Sequence, residues 1–352
     1  MNDTSKNETN KAQTTMHQLL RKSRLLLAAL LCAAAVPAFA ADHVKIGAFQ
    51  GTFINFPMYV AHDLKLFQKH GIDPEFIYGK GIQPTNMLVS GAVEFSGVAV
   101  EHGIVLRSKG QDVRLVVLNQ TLPPFTVIVS NSVPTPNAGA GYPAMLKDLK
   151  GLKIGISTPG ASSDVTMRYL LRQAGLDPQR DVQIVPVGGP STQIAGLKNG
   201  IINASNAFEP IQTEAVLGLR IAKPVLDIEG GKGPPIFRQY AFNGIFVRGA
   251  LLKSNPDLVR RFVAAIVDAE TMVNDPAQID AVTGVAAKEM GMKPAILKAY
   301  ISKYRSIFAP IATRVAIENV NKFLMLQKSI KKPIAYQDLV ATDFMPKRFM
   351  KH

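Results

Sequence analysis

The chain has 352 residues, a net charge of +14 at pH 7, one cysteine and no tryptophan. Its basic residues are scattered, and no basic tract carries interleaved aromatic side chains, so the composition argues against a nucleic-acid partner. A single cysteine excludes an internal disulfide, and the length predicts a hydrophobic core divided between two lobes. The positive charge is typical either of solvated surface lysines or of a field that favours anionic solutes.

The first forty residues have the pattern of a secretory signal peptide. A basic segment at residues 21–24 precedes an uncharged run at residues 25–36, and Ala38-Phe39-Ala40 forms a small-x-small cleavage site. We therefore expect cleavage after Ala40 and a periplasmic location, which suits a mature chain without cysteine. A lipid anchor on Cys32 is the alternative, although a bulky leucine stands where a lipobox has a small residue.

Three short sequence matches indicate an internal repeat. The matches are Lys45-Ile46-Gly47 with Lys153-Ile154-Gly155, Gly71-Ile72-Asp73-Pro74 with Gly175-Leu176-Asp177-Pro178, and Leu88-Val89-Ser90-Gly91 with Leu197-Lys198-Asn199-Gly200. They follow the same order at nearly one spacing, which predicts two similarly built lobes.

Both copies have the order strand, glycine-containing loop, helix and strand, which is the βαβ pattern of a parallel sheet. In the first copy we expect a strand at residues 44–48 and a helix capped by Asn55. In the second copy we expect a strand at residues 152–156 and a helix capped by Ser162 or Ser163.

Apolar, β-rich runs at residues 125–130 and 240–247 are predicted to be the two strands that cross between the lobes. From Asn255 onward, Asn-Pro, Asp-Pro and Lys-Pro pairs mark helix starts, and this helical tail should wrap the first lobe. The predicted fold class is α/β, with each lobe a mainly parallel sheet flanked by helices. The predicted domains are residues 1–40 for the signal peptide, 41–126 plus 245–352 for lobe one, and 127–244 for lobe two.

The loop after the first strand is the first candidate binding segment, because ligands of parallel sheets bind beyond the carboxyl ends of the strands. Its candidate ligand-binding residues are Gln50, Gly51, Thr52, Phe53, Asn55 and Phe56. The two phenyl rings would cover an apolar ligand body. The alternative is that Phe53 and Phe56 pack beneath the loop or staple the following helix.

The matching loop of the second lobe offers Gly160, Ala161, Ser162 and Ser163. Hydroxyls and free N–H groups at a helix N-terminus suit a carboxylate, sulfonate or phosphate. The alternative is plain capping, with one serine for the helix and Asp164 for its dipole.

Other strand ends supply weaker candidates, each of which could instead be scaffold. They are Ser96, Gly97 and Val98 with the neighbouring Glu101 and His102, Gly188, the pair Phe208 and Glu209, and Tyr78.

Catalytic patterns are missing from the sequence. It has no G-x-S-x-G, H-E-x-x-H or Walker A motif, and its histidines lack the spacing of metal ligands. We therefore expect no catalytic residue, no metal and no cofactor.

Four segments of the predicted mature chain carry a family-level pattern: Val44-Lys45-Ile46-Gly47, residues 87–98, residues 160–178 and residues 185–200. On these segments the chain resembles the periplasmic substrate-binding proteins of ABC importers for nitrate, sulfonates and taurine, a group that includes thiamine-pyrimidine-binding relatives.

The resemblance implies two α/β lobes that close on a small-molecule ligand, and no catalysis. We further expect the protein to be a monomer. The resemblance implies an ABC permease and, through it, an ATPase as partners. It also implies ligand contacts in the first-strand loop, the third-strand loop and the helix opening of lobe two. Many relatives carry tryptophan where this chain has Phe208, so their substrates do not transfer to it.

These observations predict a protein that captures a small organic anion of the sulfonate or carboxylate type. A neutral heterocycle such as a pyrimidine is the first alternative. A periplasmic enzyme on the same scaffold is the second.

Overall fold

The computed structural model describes residues 41–346, so the predicted signal peptide and its cleavage site lie outside the described residues. Ten strands in this range form two five-stranded sheets. The strands are β1 (Asp42–Phe49), β2 (Ile72–Gly79), β3 (Phe95–Ala99), β4 (Val113–Gln120), β5 (Thr126–Ser130), β6 (Lys153–Ile156), β7 (Gln183–Pro186), β8 (Ala204–Ala207), β9 (Ala222–Asp227) and β10 (Asn243–Arg248).

Helices flank both sheets. They are α1 (Phe56–Asp63), α2 (Leu66–Lys69), α3 (Gln83–Ser90), α4 (Val100–Ser108), α5 (Ser162–Gln173), α6 (Pro190–Lys198), α7 (Ile211–Thr213), α8 (Gly249–Ser254), α9 (Pro256–Asn274), α10 (Ile279–Met290), α11 (Pro294–Tyr304), α12 (Arg314–Leu326) and α13 (Tyr336–Leu339). Short 3-10 segments are Phe53–Asn55, Ala144–Leu149, Pro235–Phe237, Pro276–Gln278, Arg305–Ile307 and Thr342–Phe344, and α7 continues as a π turn over Glu214–Gly218. Among the described helices, none combines the length and the apolar character that a membrane span requires.

The two sheets have the same strand order. The first runs β2-β1-β3-β10-β4 and the second β7-β6-β8-β5-β9. In each sheet the three leading strands are parallel, and the fourth is antiparallel to both of its neighbours. The predicted α/β class with two sheets flanked by helices is confirmed. We call the first sheet with its helices lobe one and the second with its helices lobe two.

The repeated Lys-Ile-Gly sequence occupies the same place in both sheets. Gly47 of β1 is paired with Ser96 of β3, and Gly155 of β6 is paired with Ser205 of β8. A Cβ atom at Gly47 would lie 2.6 Å from Ser96 Oγ, and one at Gly155 would collide with Ile202. The lack of space for a Cβ atom explains why both copies carry glycine here.

The chain passes from the first sheet to the second through residues 121–125 and returns through residues 228–242. The two predicted crossing strands follow these connections: β5 pairs within the second sheet and β10 within the first. The predicted lobe boundaries after residues 126 and 244 stay a prediction.

The helix starts agree with the local sequence signals at some positions and differ at one. Asn55 stands at the N-cap position of α1, but its side chain accepts the N–H of Phe49 and makes no capping hydrogen bond. Asn255 Oδ1 accepts the N–H of Leu258 at 3.1 Å as the cap of α9. The cap of α5, however, is Ala161. The prediction that Ser162 or Ser163 caps this helix is wrong, because both hydroxyls bond to other partners described below.

The C-terminal helices α9, α10 and α11 pack on lobe one, in agreement with the prediction for the tail. Their aromatic residues interlock with those of the first sheet. Phe95 of β3 stacks on Phe262 of α9 with ring centroids 3.8 Å apart.

Candidate functional site

A cavity of about 830 Å³ lies between the two lobes. Its volume is in the range of small-molecule sites. Most of its lining comes from segments that follow the carboxyl ends of the six parallel strands β1, β2, β3, β6, β7 and β8, as expected for parallel sheets. The contributing segments are 49–54, 78–83, 99–102, 157–163, 188–194 and 208–214, joined by Phe125, residues 242–243 and residues 289–292.

Half of the sequence-predicted binding residues line this cavity. They are Gln50, Gly51, Thr52, Ala161, Ser162, Ser163, Gly188 and Phe208. The structure brings them together from both lobes, and their contact with a ligand stays a prediction.

The other half does not line the cavity. These residues are Phe53, Asn55, Phe56, Ser96, Gly97, Val98, Gly160 and Glu209. Phe53 and Phe56 are fully buried in the core of lobe one, where their ring centroids are 4.8 Å apart. Phe53 also packs on Tyr300 at 4.4 Å and Phe56 on Phe308 at 5.7 Å. The prediction that these rings cover a ligand is corrected: the helical tail covers them.

Asn55 and Ser96 act as internal connectors of lobe one. Asn55 Oδ1 accepts the N–H of Phe49 at 3.0 Å, and its Nδ2 donates to Gly97 O at 3.3 Å. Ser96 Oγ donates to Pro84 O at 3.0 Å. These bonds hold the first-strand loop, β3 and α3 together beneath the cavity.

Glu209 is buried behind the cavity wall. Its carboxylate accepts the Thr213 hydroxyl at 2.8 Å and the Thr213 N–H at 3.1 Å. Burial raises the pKa of Glu209 to about 7. It thus serves the turn that leads into α7.

Aromatic and sulfur-bearing side chains form much of the apolar wall. Phe49, Tyr78, Phe125 and Phe242 line the cavity together with Phe208. Phe49 and Tyr78 stand at the ends of β1 and β2, so the strand-end rule could have found Phe49 as it found Tyr78. Met290, the last residue of α10, and Met292, in the turn after it, also line the cavity. No sequence signal places that turn near the parallel strand ends.

The hydroxyl groups at the start of α5 already have partners. Ser162 Oγ donates to Glu101 Oε2 at 2.9 Å, which joins lobe two to α4 of lobe one. Tyr240 Oη donates to the second oxygen of Glu101, also at 2.9 Å. Burial raises the pKa of Glu101 to about 7 against the effect of these two bonds. Ser163 Oγ accepts the N–H of Ser157 at 3.1 Å. An anion would therefore not meet free serine hydroxyls here.

The backbone donors of the same helix start remain open. Among the hydrogen bonds formed within residues 41–346, none uses the N–H of Ser162 or Ser163. The N-terminus of α6 is similar, because the N–H groups of Ser191 and Thr192 have no acceptor in the described range. All four residues line the cavity. Two helix N-termini thus direct unpaired N–H groups and positive dipole ends to one cavity.

His102 lines the cavity as a neutral imidazole. Burial lowers its pKa to about 4. Its Nδ1 lies 3.1 Å from Thr85 Oγ1, and its Nε2 is buried.

Charged side chains of both signs reach the cavity. Lys80 contributes a cation, and Glu214 and Glu289 contribute carboxylates. Burial, reinforced by nearby Asp63, raises the pKa of Glu289. No group of three His, Cys, Asp or Glu side chains suited to a metal ion occurs within the described residues.

The two lobes also touch at the rim of the cavity. Gly81 of lobe one faces Thr158 of lobe two so closely that a Cβ atom at Gly81 would collide with the threonine side chain. The φ angle of Gly81 is +55°, a conformation that favours glycine. The two lobes are therefore in contact at this edge of the cavity.

Comparison with known proteins identifies relatives in sequence and in fold. The sequence pattern of the NMT1-like family matches residues 40–287. A protein of Brucella abortus (strain 2308), proposed by its name to be a binding protein, is 28% identical over 260 residues, which cover 71% of this chain and 73% of that protein.

Two solved structures share the fold. The alkanesulfonate-binding protein SsuA of Xanthomonas axonopodis pv. citri, bound to MOPS, has a TM-score of 0.68 at 15% identity, covering 87% of this chain and 99% of that chain. The periplasmic nitrate-binding protein NrtA of Synechocystis PCC 6803 has a TM-score of 0.66 at 13% identity, covering 86% of this chain and 87% of that chain.

Proposed function

Because the chain belongs to the NMT1-like family, we propose that it is an extracytoplasmic solute-binding protein that captures a small organic anion and delivers it to an ABC permease. The fold supports this proposal, since it is the fold of proteins named for binding alkanesulfonates and nitrate. Export by the predicted signal peptide would place the protein in the periplasm, where such proteins meet their solutes.

The observation that carries the anion proposal is the pair of helix N-termini at the cavity. The N–H groups of Ser162 and Ser163 open the twelve-residue helix α5, and those of Ser191 and Thr192 open the nine-residue helix α6. Such ends bind carboxylates, sulfonates and phosphates through their free N–H groups and positive dipole ends. Lys80 adds a cation to the same cavity.

The aromatic wall supports a ligand with an apolar body. Phe49, Phe125, Phe208, Phe242 and Tyr78 offer ring faces and edges, which pack well against planar or branched apolar groups. A sulfonate or carboxylate with an aromatic or bulky apolar body fits both halves of the cavity.

A neutral heterocycle is the second candidate. Glu214 and Glu289 line the cavity and would repel a nearby anion, whereas a pyrimidine could donate hydrogen bonds to them. Mass spectrometry of the small molecule that co-purifies with the protein separates the two candidates. Conversion of that molecule into a product by the purified protein would favour the enzyme alternative instead.

The helix N-terminus can be tested by a single substitution at Ser162. Ser162→Pro removes the backbone N–H at the first helical position, where proline is well tolerated, and Ala161 has the extended conformation (φ −70°, ψ 159°) that proline requires before it. Ser162→Ala is the matched control, since it loses only the hydroxyl bond to Glu101.

Calorimetry with benzenesulfonate should show affinity about tenfold weaker for Ser162→Pro than for Ser162→Ala, because an N–H group that bonds to an anion is lost. Equal affinity of the two variants would show that this helix end does not hold the acid group.

A further inference from the structure

The floor of the cavity contains a side-chain amide whose NH2 group is unused. Asn243, the first residue of β10, lines the cavity and is fully buried. Its Oδ1 accepts hydrogen bonds from Asn55 Nδ2 at 3.2 Å and from Asn119 Nδ2 at 3.3 Å. Its Nδ2 has no acceptor among the described residues.

The neighbours of Asn243 determine which end of its amide faces them. Phe49 donates its N–H to Asn55 Oδ1, so Asn55 can offer only Nδ2 to Asn243. Asn119 donates its Nδ2 to Ile54 O at 2.7 Å, which orients that amide as well. Both neighbours are donors, so the atom that they share on Asn243 is the oxygen. The Nδ2 group of Asn243 is therefore the end of the amide left without an acceptor among the described residues.

We propose that Asn243 is a specificity-determining residue of lobe one and that its Nδ2 donates to an acceptor oxygen of the ligand. The proposal rests on the proposed function and deepens it: α5 and α6 of lobe two would hold the acid group, and Asn243 would select an oxygen from the opposite side.

The physical reason is the cost of an unpaired donor. A buried amide N–H without an acceptor is unfavourable, and a ligand oxygen removes this cost when it binds. A ligand of similar shape without such an oxygen leaves the donor unpaired, so the site discriminates against it. The sequence does not predict this role, because Asn243 is a single polar residue at the start of an apolar strand and belongs to no recognisable motif.

Asn243→Asp is the sharpest variant. It keeps an oxygen toward Asn55 and Asn119 and replaces the donor with a second oxygen that repels acceptors. Gln120→Glu is the matched control, because Gln120 is the register partner of Asn243, is equally buried and does not line the cavity. It adds a carboxyl group to the same place in the sheet without changing the cavity wall.

The measurement is calorimetry on purified protein that has been stripped of ligand by unfolding and refolding. The probes are benzenesulfonate, benzoate, neutral benzamide and, as a probe without an acceptor oxygen, benzylamine. We expect Asn243→Asp to lower the affinity for the oxygen-bearing probe that wild type binds most tightly about 100-fold, because the variant loses a donor and its added oxygen repels the acceptor. Gln120→Glu should change the affinity for the same probe less than threefold. At pH 5 the deficit of Asn243→Asp should shrink, because a protonated carboxyl can donate again.

The outcomes distinguish this inference from the anion proposal. Equal affinity of Asn243→Asp and wild type for benzoate or benzenesulfonate overturns the inference and leaves the anion proposal standing. Binding of benzamide alone, weakened by Asn243→Asp, overturns the anion proposal and supports the inference. Equal losses of affinity in Asn243→Asp and Gln120→Glu overturn the inference. Wild-type binding of benzylamine as tight as that of benzoate also overturns it. Failure of wild type to bind any probe overturns both.

Discussion

The loops that follow the matching strands β1 and β6 have the same local construction and different surroundings. We call residues 50–55 loop one and residues 157–161 loop two. In lobe one the N–H of Phe49 bonds to the Asn55 side chain six residues later, and in lobe two the N–H of Ser157 bonds to the Ser163 side chain at the same separation. Loop one buries Phe53 in the core, whereas loop two leads to a helix start with open N–H groups.

The bonds to the third strands extend this likeness. In lobe one, Asn55 donates to Gly97 O of β3. In lobe two, Asn206 of β8 donates to Ser163 O. The two loops differ in the elements that pack against them. The C-terminal helices pack on lobe one and place Tyr300 against Phe53. One loop construction thus buries an aromatic side chain beneath the tail in lobe one, whereas in lobe two it leads to the helix start that we propose faces the ligand.

The largest expected effect tests whether loop one is scaffold. Phe53→Ala should lower the free energy of unfolding by about 3–5 kcal/mol, because it removes a buried ring and leaves a cavity. Ligand affinity of the folded protein should change less than threefold. Denaturant unfolding with calorimetry checks both. The control is Tyr78→Ala, a cavity-lining ring that is 40% exposed, for which the larger change should be in affinity. A loss of affinity without loss of stability in Phe53→Ala would contradict the scaffold role.

The next effect concerns the rim, where Gly81 and Thr158 meet. Gly81→Ala should weaken ligand binding about 100-fold, because the added methyl group collides with Thr158 and holds the lobes apart. Adding Thr158→Gly should restore most of the affinity.

Gly200→Ala is the control for backbone strain at the rim, since Gly200 has a φ of +70° and open space around its Cβ position. If Gly200→Ala weakened binding as much as Gly81→Ala, strain and not collision would explain the effect. Titration with benzenesulfonate gives all four affinities.

A third effect concerns the link between the lobes through Glu101. Its pKa in the folded protein is about 7, above the ordinary value of 4.5, so the folded state binds more protons than the unfolded state between these values. The unfolding free energy contributed by this group should therefore fall as pH rises from about 4.5 to about 7 and stay constant above. Glu101→Gln should remove this dependence on pH, which amounts to a change of roughly 1–3 kcal/mol in the unfolding free energy between pH 4.5 and pH 7. Denaturant unfolding of wild type and variant at pH 4.5, 6 and 8 measures it; parallel curves would show that Glu101 does not titrate in this range.

The smallest effect tests the shared bond inside loop two. Ser163→Ala should lower the unfolding free energy by about 1 kcal/mol, because the N–H of Ser157 loses its acceptor. Ligand affinity should fall less than in Ser162→Pro, since the backbone N–H of residue 163 remains. Thermal unfolding and calorimetry provide the comparison, and an affinity loss larger than that of Ser162→Pro would assign the ligand contact to the hydroxyl.

Much of the architecture could be predicted from the sequence, because it depends on local patterns. Alternating apolar residues and glycine stops indicated the strands and helices of each copy, and the repeated Lys-Ile-Gly segment indicated two similar sheets. The strand-end rule then selected segments around Gln50, Ser162, Gly188 and Phe208 that do line the cavity. These features follow from chain periodicity and from the direction of parallel strands.

Side-chain roles within those segments were decided by the tertiary structure. Phe53 and Phe56 became core residues because helices more than two hundred residues later cover them, and Ser162 found its partner in Glu101 of the other lobe. Asn243 acquired its open donor through two amides from distant strands and loops. The sequence by itself determined the segments that reach the cavity from the parallel strand ends, whereas long-range packing added residues 289–292 and decided which atoms remain free to bind.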